Sequence, residues 1–176
     1  MTGAIFLDRD GTINKDSGYV HKPEDLLILP GVIEGLQLLN RYKLFIITNQ
    51  SGIGREYFTT EKFLIFNNLL VRKLNENNII IENTYYCPHV PDADCECRKP
   101  KIKHLKEAEK TYKIDLTRSY VIGDRESDME MGRRGGCKTM LVLSGHIKKL
   151  HNNFSVKPDI IVNDLYEGAK IITESV

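Results

Sequence analysis

The chain has 176 residues, a formal net charge of +1 and 41% hydrophobic residues. This length suits one ordinary domain with a single substantial core, and the composition opposes disorder. There is no basic excess to drive general attraction to nucleic-acid phosphates, and no apolar run approaches the roughly 20 residues of a membrane span.

Ala4-Ile5-Phe6-Leu7 predicts a short buried strand, and Asp8-Arg9-Asp10-Gly11-Thr12 follows it at once. In open α/β sheets the carboxyl edge of the strands is where ligands bind. Two carboxylates crowded there repel each other, and a divalent metal would compensate them. Val32, Leu36 and Leu39 share a helical face after Pro30-Gly31. A second strand is expected over Leu44–Thr48, leading into Asn49, Gln50 and Ser51. Phe63, Phe66, Leu70 and Leu74 mark the next helix, which starts near Thr59-Thr60-Glu61.

A third strand is expected over Thr84–Cys87, followed by an irregular stretch to Lys101. Leu105, Ala108 and Tyr112 indicate another helix, and Tyr120–Gly123 a fourth strand that ends on Asp124. A short helix over Asp128 to Arg134, a strand over Thr139–Leu143, a strand over Ile160–Val162 and a helix from Leu165 to Ile172 complete the pattern. The polar segment from His146 to Lys157 reads as a surface loop. Strands alternating with helices predict a mostly parallel sheet covered on both faces, in one domain over residues 1–176.

Three strand ends thus carry groups suited to phosphoryl transfer. Hydroxyl, amide and backbone N–H groups at a turn into a helix can hold a phosphate, as Thr48, Asn49, Gln50 and Ser51 would. Asp8 and Asp124, from two strand ends, can hold Mg2+, which prefers oxygen ligands. Arg98, Lys99 and Lys101 of CRKPK can neutralise phosphate oxygens.

Cys87, His89, Cys95 and Cys97 lie within 11 residues. Three thiolates and one imidazole make a closed tetrahedral Zn2+ set of the structural kind. The ion would order a loop, over 87–101, that is too short for its own core, and would stiffen the mount of Arg98 and Lys99. A zinc knuckle for single-stranded nucleic acid fits less well, because basic and aromatic surroundings are missing. Cys137 reads as a small buried residue at a strand start. The N-terminal MTGAIFLDRD has no basic region followed by an apolar one, so a cytoplasmic protein is expected.

DRDGT, then ITNQS, then the lysine of RKP, then GDRESD resembles the four-motif signature of the haloacid dehalogenase-like phosphohydrolases. The resemblance spans nearly the whole chain and is strongest to the group that holds histidinol-phosphatases and heptose-bisphosphate phosphatases. It implies an α/β, three-layer Rossmann-like fold with no large cap domain and a zinc-stapled loop. It also implies Asp8 as nucleophile, Asp10 as acid and base, and Thr48 and Lys99 as stabilisers of the transferring phosphoryl group. Mg2+ would then lie between Asp8, the Asp10 carbonyl and Asp124, with Asp128 orienting the metal's waters. A phosphomutase would share Asp8 but usually needs a cap.

The substrate-selecting stretch implied by the resemblance is Asp16-Ser17-Gly18-Tyr19, within the run Asn14 to His21. Asn49, Gln50, Ser51, Arg98 and Arg125 join it, and Arg55 is a candidate for a second phosphate. These positions agree with the heptose-bisphosphate phosphatases, whose substrate is a small sugar bisphosphate that loses its 7-phosphate. The zinc loop, with five residues between His89 and Cys95, looks more like that of the histidinol-phosphatases, which keeps histidinol phosphate as the alternative. No leftover amphipathic seam asks for a partner, and a monomer is expected.

Overall fold

The structure, a computed structural model, describes residues 2–145 and 154–174. Of the expected polar loop, residues 146–153 lie outside the described residues; 154–157 form neither helix nor strand. Six strands make one sheet: β1 (Ala4–Leu7), β2 (Lys43–Asn49), β3 (Ile81–Cys87), β4 (Tyr120–Gly123), β5 (Lys138–Val142) and β6 (Ile160–Val162). Their order is β3-β2-β1-β4-β5-β6, and every neighbouring pair is parallel. β1 and β4 are buried along their whole length, as strands covered on both faces require of uninterrupted apolar runs.

Among the described residues six α-helices accompany the strands: α1 (Val32–Leu38), α2 (Ser51–Gly54), α3 (Thr60–Asn75), α4 (Lys103–Tyr112), α5 (Glu126–Gly135) and α6 (Leu165–Glu174). Alternate residues of β1, β2 and β4 feed two separate cores. Ile5, Leu7, Leu44, Ile46, Ile122 and Met140 pack with α1, α3 and α6. Ala4, Phe6, Phe45, Ile47 and Val121 point the other way, onto Leu105 and Ala108 of α4 and Met131 of α5. This is the three-layer arrangement that the pattern predicts. Cys137 is a buried free thiol next to the first residue of β5, and burial pushes it up to about 12.

Some bounds differ from those read off the sequence. β3 begins at Ile81 rather than Thr84. It is an edge strand whose exposed face carries Glu82, paired with Lys43 at 2.9 Å, so no apolar run announces its start. β5 is displaced by one residue at each end, from 139–143 to 138–142, and α5 starts two residues early, at Glu126. The single-turn α2 was not expected; four residues carry no periodicity.

Strand order reverses between β1 and β4: the chain runs outward from β1 through β2 to β3, then returns to the other side of β1. The crevice beyond the carboxyl ends of two strands at such a switch point is the ligand site of doubly wound sheets. Asp8 leaves β1 and Asp124 leaves β4 at that point.

Candidate active site

After Leu7 the backbone turns sharply. The Asp8 N–H still donates to the Ile122 carbonyl of β4 at 2.9 Å, and the Arg9 carbonyl then accepts from the N–H groups of Thr12, Ile13 and Asn14. Gly11 makes the turn possible. Its φ is +86°, and a Cβ there would lie 2.3 Å from Asp124 Oδ2. The turn therefore presents Asp8 and Asp10 to one space, and brings the chain against the Asp124 carboxylate.

Lys99 reaches this space from the opposite side. Its Nζ is buried and lies 2.7 Å from Asp8 Oδ1, 2.7 Å from Asp128 Oδ1 and 2.8 Å from the Ile47 carbonyl. Burial works against the ammonium, but the charges of Asp128 and Asp8 outweigh it and raise its pKa. Asp128 responds to the same contest: burial lifts its carboxyl to about 6, against the pull of Lys99, with the Asp8 charge adding to the rise. Its other oxygen accepts the Arg125 N–H at 3.1 Å, so Asp128 also caps the first turn of α5.

Asp8, Asp124 and Asp128 are all buried, and one oxygen of each lies within 4.8 Å of the others. Asp8 and Asp128 share one buried ammonium, and Asp124 adds a third carboxylate to the group. A compact divalent cation with oxygen preference fits that imbalance, so the donor set suits Mg2+.

Asp10 is differently placed. Arg9 Nε donates to its Oδ1 at 3.0 Å and Arg9 Nη2 to its Oδ2 at 2.8 Å. Asn14 Nδ2 adds 2.9 Å to Oδ1, and Gln50 Nε2 adds 3.0 Å to Oδ2. Both oxygens thus accept two hydrogen bonds, a geometry that locks the rotamer. Arg9 itself is fully buried, 4.7 Å and 5.4 Å from the ring centres of Phe66 and Phe63, and donates to the Val20 carbonyl at 3.0 Å. Neither Arg9 nor Asn14 is a site candidate on sequence grounds. The only signal for Arg9 is a basic residue between two acidic ones, and its two rings lie on a distant helix.

The cleft has a volume of about 370 Å3. Of the candidates, Asp8, Asp10, Thr48 and Lys99 line it, with Asp16, Gly18, Tyr19, Asn49, Gln50, Ser51, Arg98 and Arg125. Gly52 and Ser127 line it too, without having been expected. Ser17 and Arg55 are exposed and do not line it. Arg55 is the residue that caps the C-terminus of α2. Asn49 does more than face the space: its amide exchanges two hydrogen bonds with the Lys99 backbone, at 3.0 and 3.3 Å. Asp16 accepts from Arg125 Nη2 at 2.8 Å and from the Gly18 N–H at 2.8 Å, which ties the loop after β1 to the start of α5. Burial disfavours the Arg125 cation, but Asp124, Asp8 and Asp16 together raise its pKa.

Beside the cleft, Cys87, His89, Cys95 and Cys97 converge. Cys87 Sγ is 3.7 Å from Cys95 Sγ, while His89 Nδ1 is 3.5 Å from Cys87 Sγ and 3.3 Å from Cys97 Sγ. Zn–S bonds of about 2.3 Å put two thiolates about 3.8 Å apart along a tetrahedral edge, and Zn–N near 2.0 Å shortens the mixed edge to about 3.5 Å. The same separation is too long for a disulfide. Burial first, then the neighbouring Cys97 thiol, pushes Cys87 up to about 12. The loop adjoins the cleft: the cleft-lining Arg98 donates through Nη1 to the His89 carbonyl at 3.3 Å, and the Cys87 carbonyl accepts the Gln50 N–H at 2.7 Å.

Among the described residues no helix is long and apolar enough to cross a membrane. A family model for HAD-hydrolase-like proteins matches residues 96–168. The chain is 48% identical over 133 residues to a probable D-glycero-D-manno-heptose-1,7-bisphosphate 7-phosphatase of Thermoplasma volcanium, covering 74% of this chain and 91% of that one. It is 38% identical to the D-glycero-beta-D-manno-heptose-1,7-bisphosphate 7-phosphatase of Photorhabdus laumondii, over 96% of this chain and 94% of the relative. Among solved structures, a D,D-heptose 1,7-bisphosphate phosphatase from B. bronchiseptica, complexed with magnesium and phosphate, superposes with a TM-score of 0.90 at 28% identity, covering 99% of both chains.

Proposed function

The chain belongs to the D-glycero-D-manno-heptose-1,7-bisphosphate 7-phosphatase family of haloacid dehalogenase-like hydrolases, and on that footing we propose that it hydrolyses the 7-phosphate of the heptose bisphosphate. One observation carries the chemistry. Asp8 and Asp10 face a single cleft, with Lys99 Nζ 2.7 Å from one Asp8 oxygen. A carboxylate whose first oxygen is held leaves the second to attack phosphorus in line.

The Asp8 oxygen forms an aspartyl-phosphate as the bond from phosphorus to the sugar oxygen breaks, and Asp10 gives a proton to the departing alkoxide. Water then attacks the phosphorus, Asp10 takes its proton, and phosphate leaves with Asp8 restored. Lys99 and the Thr48 hydroxyl stabilise charge on the equatorial oxygens, which is the main catalytic effect for this reaction. Asp8, the Asp10 carbonyl and Asp124 would hold Mg2+, which when bound supplies further positive charge to the phosphoryl oxygens. Asp128 anchors Lys99 and would also face the metal's waters. Zn2+ would be held by Cys87, His89, Cys95 and Cys97, as a structural ion, because all four ligands come from the protein. Arg98 and Arg125, on the cleft wall, supply cations for the phosphate that is not removed.

The test is phosphate release with Mg2+, comparing kcat/KM for heptose 1,7-bisphosphate and histidinol phosphate, with Asp8→Asn as blank. A large preference for the bisphosphate supports the proposal. A preference for histidinol phosphate transfers the chemistry to that substrate and makes the short zinc loop the better guide. Release no faster than the blank from both removes the substrate assignment.

A further inference from the structure

Gln50 links the two groups that act on opposite ends of the breaking bond. It is buried, and its single amide nitrogen lies 3.0 Å from Asp10 Oδ2 and 2.9 Å from Thr48 Oγ1. Its backbone is fixed at both ends, the N–H on the Cys87 carbonyl at 2.7 Å and the carbonyl accepting from Ile53 at 3.1 Å. A carboxylate can only accept, so the amide must present its nitrogen, not its oxygen, to Asp10. The nitrogen carries two hydrogens, and the second points at Thr48.

The consequence falls on Thr48. A hydroxyl has one hydrogen and rotates freely unless its lone pairs are engaged. With Gln50 donating to its oxygen, the Thr48 hydrogen must aim elsewhere, and Thr48 lines the cleft. We infer that Gln50 is a positioning residue: it sets the Thr48 O–H toward the transferring phosphoryl group and couples that orientation to the rotamer of Asp10. This departs from the sequence expectation, which placed Gln50 among the groups touching substrate. The inference rests on the roles given above to Asp10 and Thr48.

The experiment uses p-nitrophenyl phosphate with Mg2+, so that the result does not depend on which sugar is the substrate. Gln50→Met keeps length and apolar bulk but removes the donor. It is expected to lower kcat about tenfold, the worth of one well-made hydrogen bond, with KM changed less than about twofold and melting temperature nearly unchanged. In a Thr48→Val background the same change should cost less than about threefold, because there is no longer a hydroxyl to orient. Wild-type kcat in Gln50→Met, or losses that multiply fully in the double variant, would overturn the inference. If instead Asp10→Asn and Thr48→Val retain wild-type kcat, it is the reading of the site that fails, and the two failures are told apart by those controls.

Discussion

Arg9 and Asp10 are neighbours in sequence whose side chains close a two-point bond, Nε to Oδ1 at 3.0 Å and Nη2 to Oδ2 at 2.8 Å. The arginine is enclosed by Phe63 and Phe66 of α3 and has no route to solvent. A planar fork with two fixed donors sets both the direction and the tilt of a carboxylate, which a lysine's single ammonium cannot do. Arg9→Lys is therefore expected to lower kcat by about 10- to 100-fold, the equivalent of one charged hydrogen bond. Arg9→Met should in addition unfold at lower temperature, because the rings of α3 lose their charged partner. Steady-state kinetics and thermal melts of the two variants check this, and a kcat for Arg9→Lys equal to wild type would contradict it.

Lys99 has two carboxylates within 2.7 Å. Lys99→Met should cost roughly 2–4 kcal/mol of transition-state stabilisation, by analogy with the loss of one preorganised donor. It also leaves Asp8 and Asp128 without the buried ammonium they share. The variant should then gain more thermal stability from Mg2+ than the wild type does, since with Lys99 gone only Arg125 remains beside the metal to offset these carboxylates. Melting curves with and without Mg2+ measure the difference, and equal gains in the two proteins would count against the charge argument.

What could be read from the sequence follows the range of the interactions involved. Asp8, Thr48 and Asp124 were legible because each follows directly on an apolar strand, and a strand's exit direction is a local property. The Cys/His cluster was legible because its four members lie within 11 residues. Arg9 was not, since its burial depends on Phe63 and Phe66, which along the chain read only as the apolar stripe of α3. The roles of Asn49 and Gln50 were half legible. Their position at the cleft followed from the strand end, but their partners, the Lys99 backbone and the Asp10 carboxylate, are some 40 to 50 residues distant along the chain. Arg55, expected near a second phosphate, is exposed and does not line the cleft; it caps a one-turn helix, and four residues are too few to show a period.

Removing the proposed Zn2+ should affect catalysis although none of its four candidate ligands lines the cleft. Lys99 follows Cys97 by two positions, and Arg98 between them donates to the His89 carbonyl of the same loop. Chelation removes the ion that would order the Cys/His cluster and is expected to speed hydrogen exchange over residues 87–101 and to lower kcat. The affinity should also rise with pH. Cys87 without metal lies at about 12, so its thiol is protonated at neutral pH and zinc must displace that proton. Each proton released per ion bound steepens the apparent affinity by up to about tenfold per pH unit. Competition with a chromophoric chelator between pH 6 and 8 measures the slope, and a flat profile would exclude a thiolate set.

Gly11 tests the turn. At φ +86° any side chain is strained, and here a Cβ would also press on Asp124 Oδ2 at 2.3 Å and Gly145 Cα at 3.1 Å. Gly11→Ala is expected to lose at least about 1 kcal/mol of stability. Its larger effect should be on the Mg2+ concentration needed for half-maximal activity, because the displaced group is a metal-ligand candidate. Titration of activity with Mg2+ separates the two effects. A variant that melts early but has an unchanged Mg2+ requirement would place Asp124 outside the metal site.

The phosphate that stays on the sugar distinguishes the cleft arginines from Arg55. Arg98 and Arg125 line the space, and Asp16 holds Arg125 at 2.8 Å, while Arg55 is exposed at the end of α2 and does not line it. A charged hydrogen bond to phosphate contributes about 1.5–3 kcal/mol, so Arg98→Ala and Arg125→Ala should each raise KM for the bisphosphate by roughly 10- to 100-fold. The same variants should change KM for a monophosphate ester much less, because it lacks the second phosphate. Asp16→Asn should act in the same direction as Arg125→Ala but more weakly, since the guanidinium loses its tether and not its charge. Arg55→Ala should leave KM for both substrates within about twofold. If Arg55→Ala alone raised KM for the bisphosphate, the second phosphate would lie over α2, and the assignment of Arg98 and Arg125 to it would be wrong.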